Sequence, residues 1–510
     1  MDHVTADPNP HAHRRDSALL FVCVFAACSL LVRGAWHGLD AYSFLSHLER
    51  GVYANPRHPL YLPIVGLVVE ALRPFGVSVV RAAVFASALG AALGTVLCHR
   101  ACLLLGMARR SALLCAVTQA SCFGVLYYGS MVEIHAVFLL PAGLCWWLCA
   151  RYLKALTVAA ALAVGVGTGL AAAVHATGHL LVAVLGLFVA VRMGDGRSVW
   201  RRLPHFGLML VPHAAIALLV PRLVLPAEVL ADASPEAGAV SYFAFLRSLG
   251  TDWGQFPRVL WYEWLMPMMP LSVLAPAALL LARTRTAALL FLLALAGYLV
   301  LTTMLLAPAA VMQKPEYLPP FATYEFGAYF LPLAFPAAML ALRIVPVRAQ
   351  ILVPIFGVVW ALLMMFTSSR APSDLDYGRD ALAVVDEQKA RLLIGGYGEL
   401  DSILQLRPDC GSEPMHNEPS TVLTVYGLWL WLFRFPEYRK PELVTTWFDV
   451  QVQQVTQKGG QMVVTDEALA LLRATHDGLL DVLVNEHIPA HYELRRIEHG
   501  RFRGAIVTRR

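Results

Sequence analysis

Long apolar runs separated by short polar connections fill the first 369 positions of the chain. About 20 consecutive apolar residues are what a helix needs to cross the hydrocarbon core of a bilayer. By that measure the pattern predicts spans near 17–36, 79–105, 111–129, 131–150, 155–174, 177–193, 203–225, 264–282, 286–308, 327–343 and 349–368, eleven in all. The first apolar run, Ala18–Val32, follows Arg14 and Arg15 and has the outline of a secretory signal. It lacks a clear small-residue cleavage motif and further spans follow it, so it reads as a retained first span. Pro59–Leu72 is apolar over only about 14 residues and carries Glu70, which suits a helix lying in the interface.

From about residue 370 the pattern changes. Arg391–Gln405 reads as a short strand, a Gly-Gly-Tyr-Gly turn and a helix; Gln461–Leu472 reads as a strand followed by a helix; Tyr492–Thr508 alternates like a hairpin. The fold class predicted is therefore an α-helical polytopic membrane protein with about 11 transmembrane helices. It comprises a transmembrane domain over 1–369 and a small C-terminal α/β domain over 370–510.

Composition agrees. Hydrophobic residues make up 58% of the 510 positions and charged residues 15%, against about 45–50% and about 25% in soluble domains. Mean hydropathy is +0.60. This excludes a soluble globule, a disordered chain, collagen and a coiled coil. The net charge of +5 matters through its location. If 59–72 does not span, the basic loops (Arg14/Arg15, Arg100/Arg109/Arg110, Arg151/Lys154, Arg192/Arg197/Arg201/Arg202, Arg283/Arg285 and Arg343/Arg348) all fall on one side. The positive-inside rule makes that side cytoplasmic, with the N-terminus inside and the C-terminal domain outside. Eight of the nine cysteines lie in or beside apolar stretches, so no disulfide framework or CxxC metal site follows.

With topology assigned, polar residues gather on the outer side. The first outer loop holds His37, Asp40, Tyr42, Glu49, Asn55, Arg57, His58 and Tyr61; Glu133 and His135 stand between the third and fourth spans; His175 and His179 lie between the fifth and sixth. The long loop 226–263 adds Asp232, Glu236, Arg247, Arg258, Glu263, Trp253 and Trp261. Tyr and Trp at span ends are an aromatic belt by default, and loop carboxylates are by default solvated. Glu133 and His135 differ, because their connection is a few residues long with apolar flanks, and ionisable groups at that depth are costly unless used. His175 and His179 are one helical turn apart and can share a face; without HExxH this favours lining a pocket or hydrogen bonding over a metal pair. The spans hold few charges at mid-depth and no Walker motif is present, which disfavours ion-coupled or ATP-driven transport. Gly165-Val-Gly-Thr-Gly169 follows no strand and reads as helix-packing contact.

Four stretches carry a resemblance: Leu39-Asp40-Ala41-Tyr42-Ser43-Phe44; Arg57-His58-Pro59-Leu60-Tyr61 with the Pro74-Phe75-Gly76 turn after it; Val132-Glu133-Ile134-His135; and Gly169-Leu170 with His175. The layout resembles the GT-C membrane glycosyltransferases, and most closely the branch akin to protein O-mannosyltransferases, which includes a bacterial domain of long-unknown function. Residues 17–200 carry it well and the rest only in hydropathy, with Tyr324–Leu333 echoing an aromatic-rich last-span start. Ser43 stands where that branch has a second acid, and His135 where it has a tyrosine.

The resemblance implies transfer of a sugar from a polyprenyl-phosphate-linked donor to an acceptor hydroxyl on the periplasmic face. It implies Asp40 and Glu133 as catalytic carboxylates, Asp40 as the base, and Arg57, His58, Tyr61, His135, His175 and Trp253 as substrate-binding residues. No metal ligand set is assigned; a divalent cation is the one cofactor left open. The partners expected are the donor, membrane lipid and a hydroxyl acceptor (protein, lipid or glycan), with no nucleic acid, in a bacterial inner membrane. Two alternatives stay open: an inactive GT-C-derived scaffold that binds a glycan or a partner, motivated by Ser43, and a transporter of lipid-linked sugar.

Overall fold

The computed structural model describes residues 10–31, 39–55, 58–192, 203–227, 253–311 apart from 283, 327–367, 374–396, 421–424, 440–474 and 479–510, with 399, 402, 403, 406 and 407. Contacts divide the chain into two compact units. The first comprises 1–32, 53–312 and 320–368, and the second 33–52, 313–319 and 369–510.

The helices of the first half are α1 (Pro10–Leu30), α2 (Leu39–Glu49, in the second unit), α3 (Tyr61–Leu72), α4 (Val79–Leu104), α5 (Arg109–Ala120), α6 (Phe123–Gly129), α7 (Ile134–Ala155), α8 (Val158–Val174), α9 (Gly178–Arg192) and α10 (Leu203–Val224). After them come a wide helical turn at Leu260–Leu265, α11 (Leu271–Ala277), α12 (Arg285–Val311), α13 (Leu331–Ile344) and α14 (Leu352–Thr367). Each predicted span coincides with one of these helices or with a broken one. Among the described residues, α4, α7, α10 and α12 are long and apolar enough to cross alone. α5 and α6 together make a fifth span, bent by 64° at Ser121–Cys122, where one straight span was expected. The remaining positions hold shorter apolar helices of 10–17 residues, and α1, whose first turns are polar. α3 is 12 residues long, about 18 Å, too short to span. It ends in the Pro74-Phe75-Gly76 turn, with Gly76 left-handed at φ 72°.

The loop expected over 36–81 therefore contains two helices. α2 is amphipathic: Ala41, Phe44, Leu45 and Leu48 are fully buried or nearly so, one face of a 3.6-residue period.

α4 and α7 pack backbone against backbone. A Cβ on Gly94 would strike the Leu139 carbonyl, one on Gly90 the Ala136 carbonyl, and one on Gly143 the Gly94 backbone. Small residues let two backbones touch where lipid tails offer no hydrophobic drive to associate. The Gly165–Gly169 run acts likewise, Gly165 against the Met209 carbonyl and Gly169 against Ile216 of α10.

The second unit is built on a five-stranded sheet in the order β2-β1-β3-β5-β4. α15 (Leu375–Glu387) leads to β1 (Ala390–Gly395); β2 is Thr421–Thr424; α16 (Pro441–Gln457) leads to β3 (Gln461–Thr465); α17 (Asp466–Ala474) follows, then β4 (Tyr492–His499) and β5 (Phe502–Arg509). β2, β1 and β3 are parallel, and β5 and β4 return antiparallel as the hairpin read from the sequence. Leu392–Ile394, Met462–Val464 and Ala505–Val507 are buried. Asp449 of α16 accepts hydrogen bonds from the Tyr492 hydroxyl and from His487 Nε2, each at 2.6 Å. Burial pushes the Asp449 carboxyl up, but the bonds from Tyr492 and His487 outweigh it and hold the group below the ordinary carboxylate value.

Gly94→Val should force α4 and α7 apart at a cost of about 1–3 kcal/mol. A lower melting temperature of the full-length protein in nanodiscs checks this. A carboxylate depressed on folding stabilises above its unfolded pKa, about 3.9 for Asp, and loses that contribution as pH falls through the folded value. Hydrogen exchange across β4 and β5 in the full-length protein should therefore speed up below about pH 4, after correction for intrinsic rates. That acid sensitivity should be smaller in Asp449→Asn.

Candidate functional site

His58, His135 and His175 meet in the first unit, although 40 to 117 positions separate them along the chain. His175 is the residue at which α8 stops: its φ of −151° and ψ of 139° turn the chain out of the helix. The Thr177 N–H donates to His175 Nδ1 at 3.2 Å, and the Thr177 hydroxyl lies 2.7 Å from the same nitrogen. Nδ1 is thus an acceptor, so the neutral ring carries its proton on Nε2, a donor. His58 sits in the turn before α3. Its own N–H donates to Asn55 Oδ1, and the Leu60 N–H donates to the Ala173 carbonyl at 3.1 Å, which fastens this turn to the end of α8.

The rings of His58 and His175 stack at 5.2 Å and 10°. His135, in the first turn of α7, lies 4.5 Å from His175. Aromatic rings wall the trio: Tyr128 at 5.9 Å and Tyr329 at 5.1 Å from His135, and Phe138 at 5.7 Å from His175. Glu133 caps α7. Its Oε1 accepts the Ile134 N–H at 2.9 Å, and its peptide group exchanges hydrogen bonds with the Ser87 hydroxyl of α4. Glu133 is 7% exposed and His135 4%, at a helix N-terminus where the dipole favours negative charge. Tyr61 is fully buried at the start of α3.

Five of the eight site residues read from the sequence (His58, Tyr61, Glu133, His135 and His175) thus lie in this unit on the ends and turns that build the cluster. Trp253 is 53% exposed in the short turn Trp253–Gln255. Asp40 belongs to α2 in the second unit and its side chain is outside the described residues, as is Arg57.

The shared face expected for His175 and His179 does not form, because the chain turns out of helix between them. His179 joins a second chain of groups. The Thr168 hydroxyl donates to the Gly165 carbonyl, so its oxygen accepts from His213 Nδ1 at 3.1 Å. His213 Nε2 then accepts from His179 Nδ1 at 3.0 Å. Among the described residues no group of three or more His, Cys, Asp or Glu side chains is placed to hold a metal ion.

Two contributors escaped the sequence reading. Tyr329 lies within the Tyr324–Leu333 stretch but had no assigned role. Glu263 was one acid among several in a long loop, yet it is fully buried, and its Oε2 accepts the Gly327 N–H at 2.9 Å. Gly327 is left-handed at φ 83°, and the tight turn Ala328–Phe330 follows it. Glu263 thereby fixes the turn that presents Tyr329 to the histidines.

No family model matches the sequence, and no curated protein matches it. Solved structures do. The chain is similar to ArnT of Cupriavidus metallidurans, crystallised with undecaprenyl phosphate, at 15% identity and a TM-score of 0.52 over 96% of this chain and 97% of that one. The chain has the GT-C fold. It is also similar to the mycobacterial arabinofuranosyltransferase AftD, at 14% identity and a TM-score of 0.51 over 97% of this chain and 39% of that one. At such identities the likeness is one of GT-C architecture, and the chemistry rests on the residues.

Glu263→Leu should leave the Gly327 N–H buried without its acceptor, a cost of about 1–3 kcal/mol. Glu263→Gln, which keeps an acceptor oxygen, should lose less. Melting temperature, with hydrogen exchange at Gly327–Leu331, distinguishes this from a solvated acid, whose removal would change neither.

Proposed function

We propose that the protein is a membrane glycosyltransferase that moves a sugar from a polyprenyl-phosphate-linked donor to an acceptor hydroxyl. The observation that carries this reading is the convergence of His58, His135 and His175 beside Glu133 at the ends of α7 and α8, in a GT-C fold. These ends lie opposite the basic loops, so by the positive-inside rule the reaction faces outward. A bacterial cytoplasmic membrane suits that orientation.

The bond that breaks joins the sugar's anomeric carbon to a phosphate oxygen, and the bond that forms joins that carbon to the acceptor oxygen. The acceptor's proton passes to a carboxylate. Asp40 takes it in this proposal, and Glu133 orients the sugar. The polyprenyl phosphate leaves with the bonding electrons, and its added charge needs hydrogen-bond donors already in place. His175 Nε2–H is such a donor, and His58 stacks against it. Tyr128 and Tyr329 offer ring faces to the sugar.

The test is release of free polyprenyl phosphate by the full-length protein in nanodiscs, supplied with a panel of polyprenyl-phosphate sugars and an envelope acceptor extract. Asp40→Asn should cut release by about 10²–10⁴-fold, the usual loss for a general base. His175→Ala should also slow it. Equal release by wild type and Asp40→Asn would move the base to Glu133, and no release from any donor would sink the transferase reading in favour of a binding scaffold.

A further inference from the structure

The second unit holds a histidine pair that the transferase reading does not use. His487 and His491 are four positions apart in His487-Ile488-Pro489-Ala490-His491. His487 closes the wide turn Val482–His487, and His491 ends the short helix Ile488–His491 just before β4. Residues four apart on a helix are neighbours, and here the two rings lie 4.7 Å apart, tilted by 45°. His491 is exposed and His487 half-buried.

Hydrogen bonds decide which nitrogens are free. His487 Nε2 lies 2.6 Å from Asp449 Oδ1, which also accepts from the Tyr492 hydroxyl. A carboxylate only accepts, so Nε2 carries the proton, and Nδ1 of the neutral ring keeps a lone pair. Among the described residues no hydrogen bond engages that lone pair or either ring nitrogen of His491. A histidine that gives its second ring N–H to a carboxylate is the usual arrangement around a bound metal, because it fixes the tautomer and makes the ligating nitrogen more basic. The ring separation fits as well. With metal–nitrogen bonds of about 2.1 Å and ring centres about 1.1 Å behind each nitrogen, two imidazoles on one ion have centres about 4.5–5.2 Å apart, for bond angles from about 90° to the tetrahedral value. The observed 4.7 Å falls in that range.

We propose that His487 and His491 bind a divalent transition-metal ion of the zinc, nickel and copper class, with His487 Nδ1 and one nitrogen of His491 as ligands and water completing the shell. Asp449 holds His487 from behind. Two imidazoles select these ions over Mg²⁺ and Ca²⁺, which take oxygen ligands. Ile488 stands where zinc proteases carry the general base of HExxH, so the pair lacks a hydrolytic partner. The effect of the ion is on the fold around it. The His491 carbonyl accepts the Arg510 N–H at 3.0 Å, and Asp449 belongs to α16, so a metal on the pair fastens the start of β4, the end of the chain and α16 together. The inference does not depend on the transferase reading, since all of these residues lie in the second unit.

The experiment titrates Zn²⁺ by calorimetry into the tag-free, EDTA-stripped full-length protein in detergent near neutral pH. Wild type should bind one equivalent more than His491→Ala, with a dissociation constant on the order of 10 µM, as expected for half the ligands of a structural zinc site. His491 is exposed, so its removal leaves the packing alone; His491→Cys, which restores a ligand, should regain the equivalent. Asp449→Asn should weaken it about tenfold. Zn²⁺ should also slow hydrogen exchange over Val482–His491 in wild type and not in His491→Ala. Equal zinc equivalents in wild type and His491→Ala would overturn the proposal. So would a dissociation constant above about 1 mM, the strength of one isolated imidazole.

Discussion

The backbone contact between α4 and α7 is the constraint on which the site depends. Gly94 and Gly143 meet with no side chain between them, and Gly90 packs on the Ala136 carbonyl in the first turn of α7. That spacing brings the Ser87 hydroxyl to the Glu133 peptide group, the last residue before α7 begins. Hydrocarbon supplies no water to satisfy a loose helix end, so the end must be tied by protein groups. Glu133 and His135 are therefore held at a fixed depth by glycines several residues away. The Leu60–Ala173 bond does the same for His58 and the end of α8.

Histidine serves three purposes in one chain, and hydrogen-bond partners separate them. His175 has its Nδ1 occupied by Thr177 and turns a donor toward its neighbours. His213 is fixed by a hydroxyl whose only proton is already given to a carbonyl, which orders the tautomers out to His179. His487 donates to a carboxylate that also accepts from a tyrosine, in a half-buried part of the second unit. Neighbouring identical residues such as His175 and His179 thus perform different tasks because one stands outside a helix and the other inside the next.

Much of the fold was legible in the chain, because hydropathy over about 20 residues answers directly to bilayer thickness. The positions of α4, α7, α10 and α12 followed from it, as did the short α3; the β4–β5 hairpin was read from the polar–apolar pattern of Tyr492–Thr508. The bend between α5 and α6 was not legible: no proline marks it, and Ser121 and Cys122 fit a straight helix equally well. α2 was legible and overlooked, since Ala41, Phe44, Leu45 and Leu48 repeat at helical spacing within a stretch read for its acid. In the site, Glu133 and His135 stood out because a short connection between apolar runs leaves charge nowhere cheap to go. Tyr329 did not, because its contacts with His135 and His175 join segments with no local pattern in common.

Glu263 shows how far that last rule reaches. It is a fully buried acid near the membrane, which by itself suggests chemistry. Its carboxylate, however, accepts a backbone N–H from a glycine 64 positions away, and that glycine needs a left-handed conformation to start the turn before α13. A group held in this way supports a neighbour. The wide turn Leu260–Leu265 adds a residue to the helical repeat, and such turns are rare and concentrate where a side chain must be redirected. Burial alone thus cannot sort the acids of this protein. Glu133 and Glu263 are almost equally hidden, and what distinguishes them is position: Glu133 begins the helix that carries His135, whereas Glu263 acts through the backbone behind Tyr329.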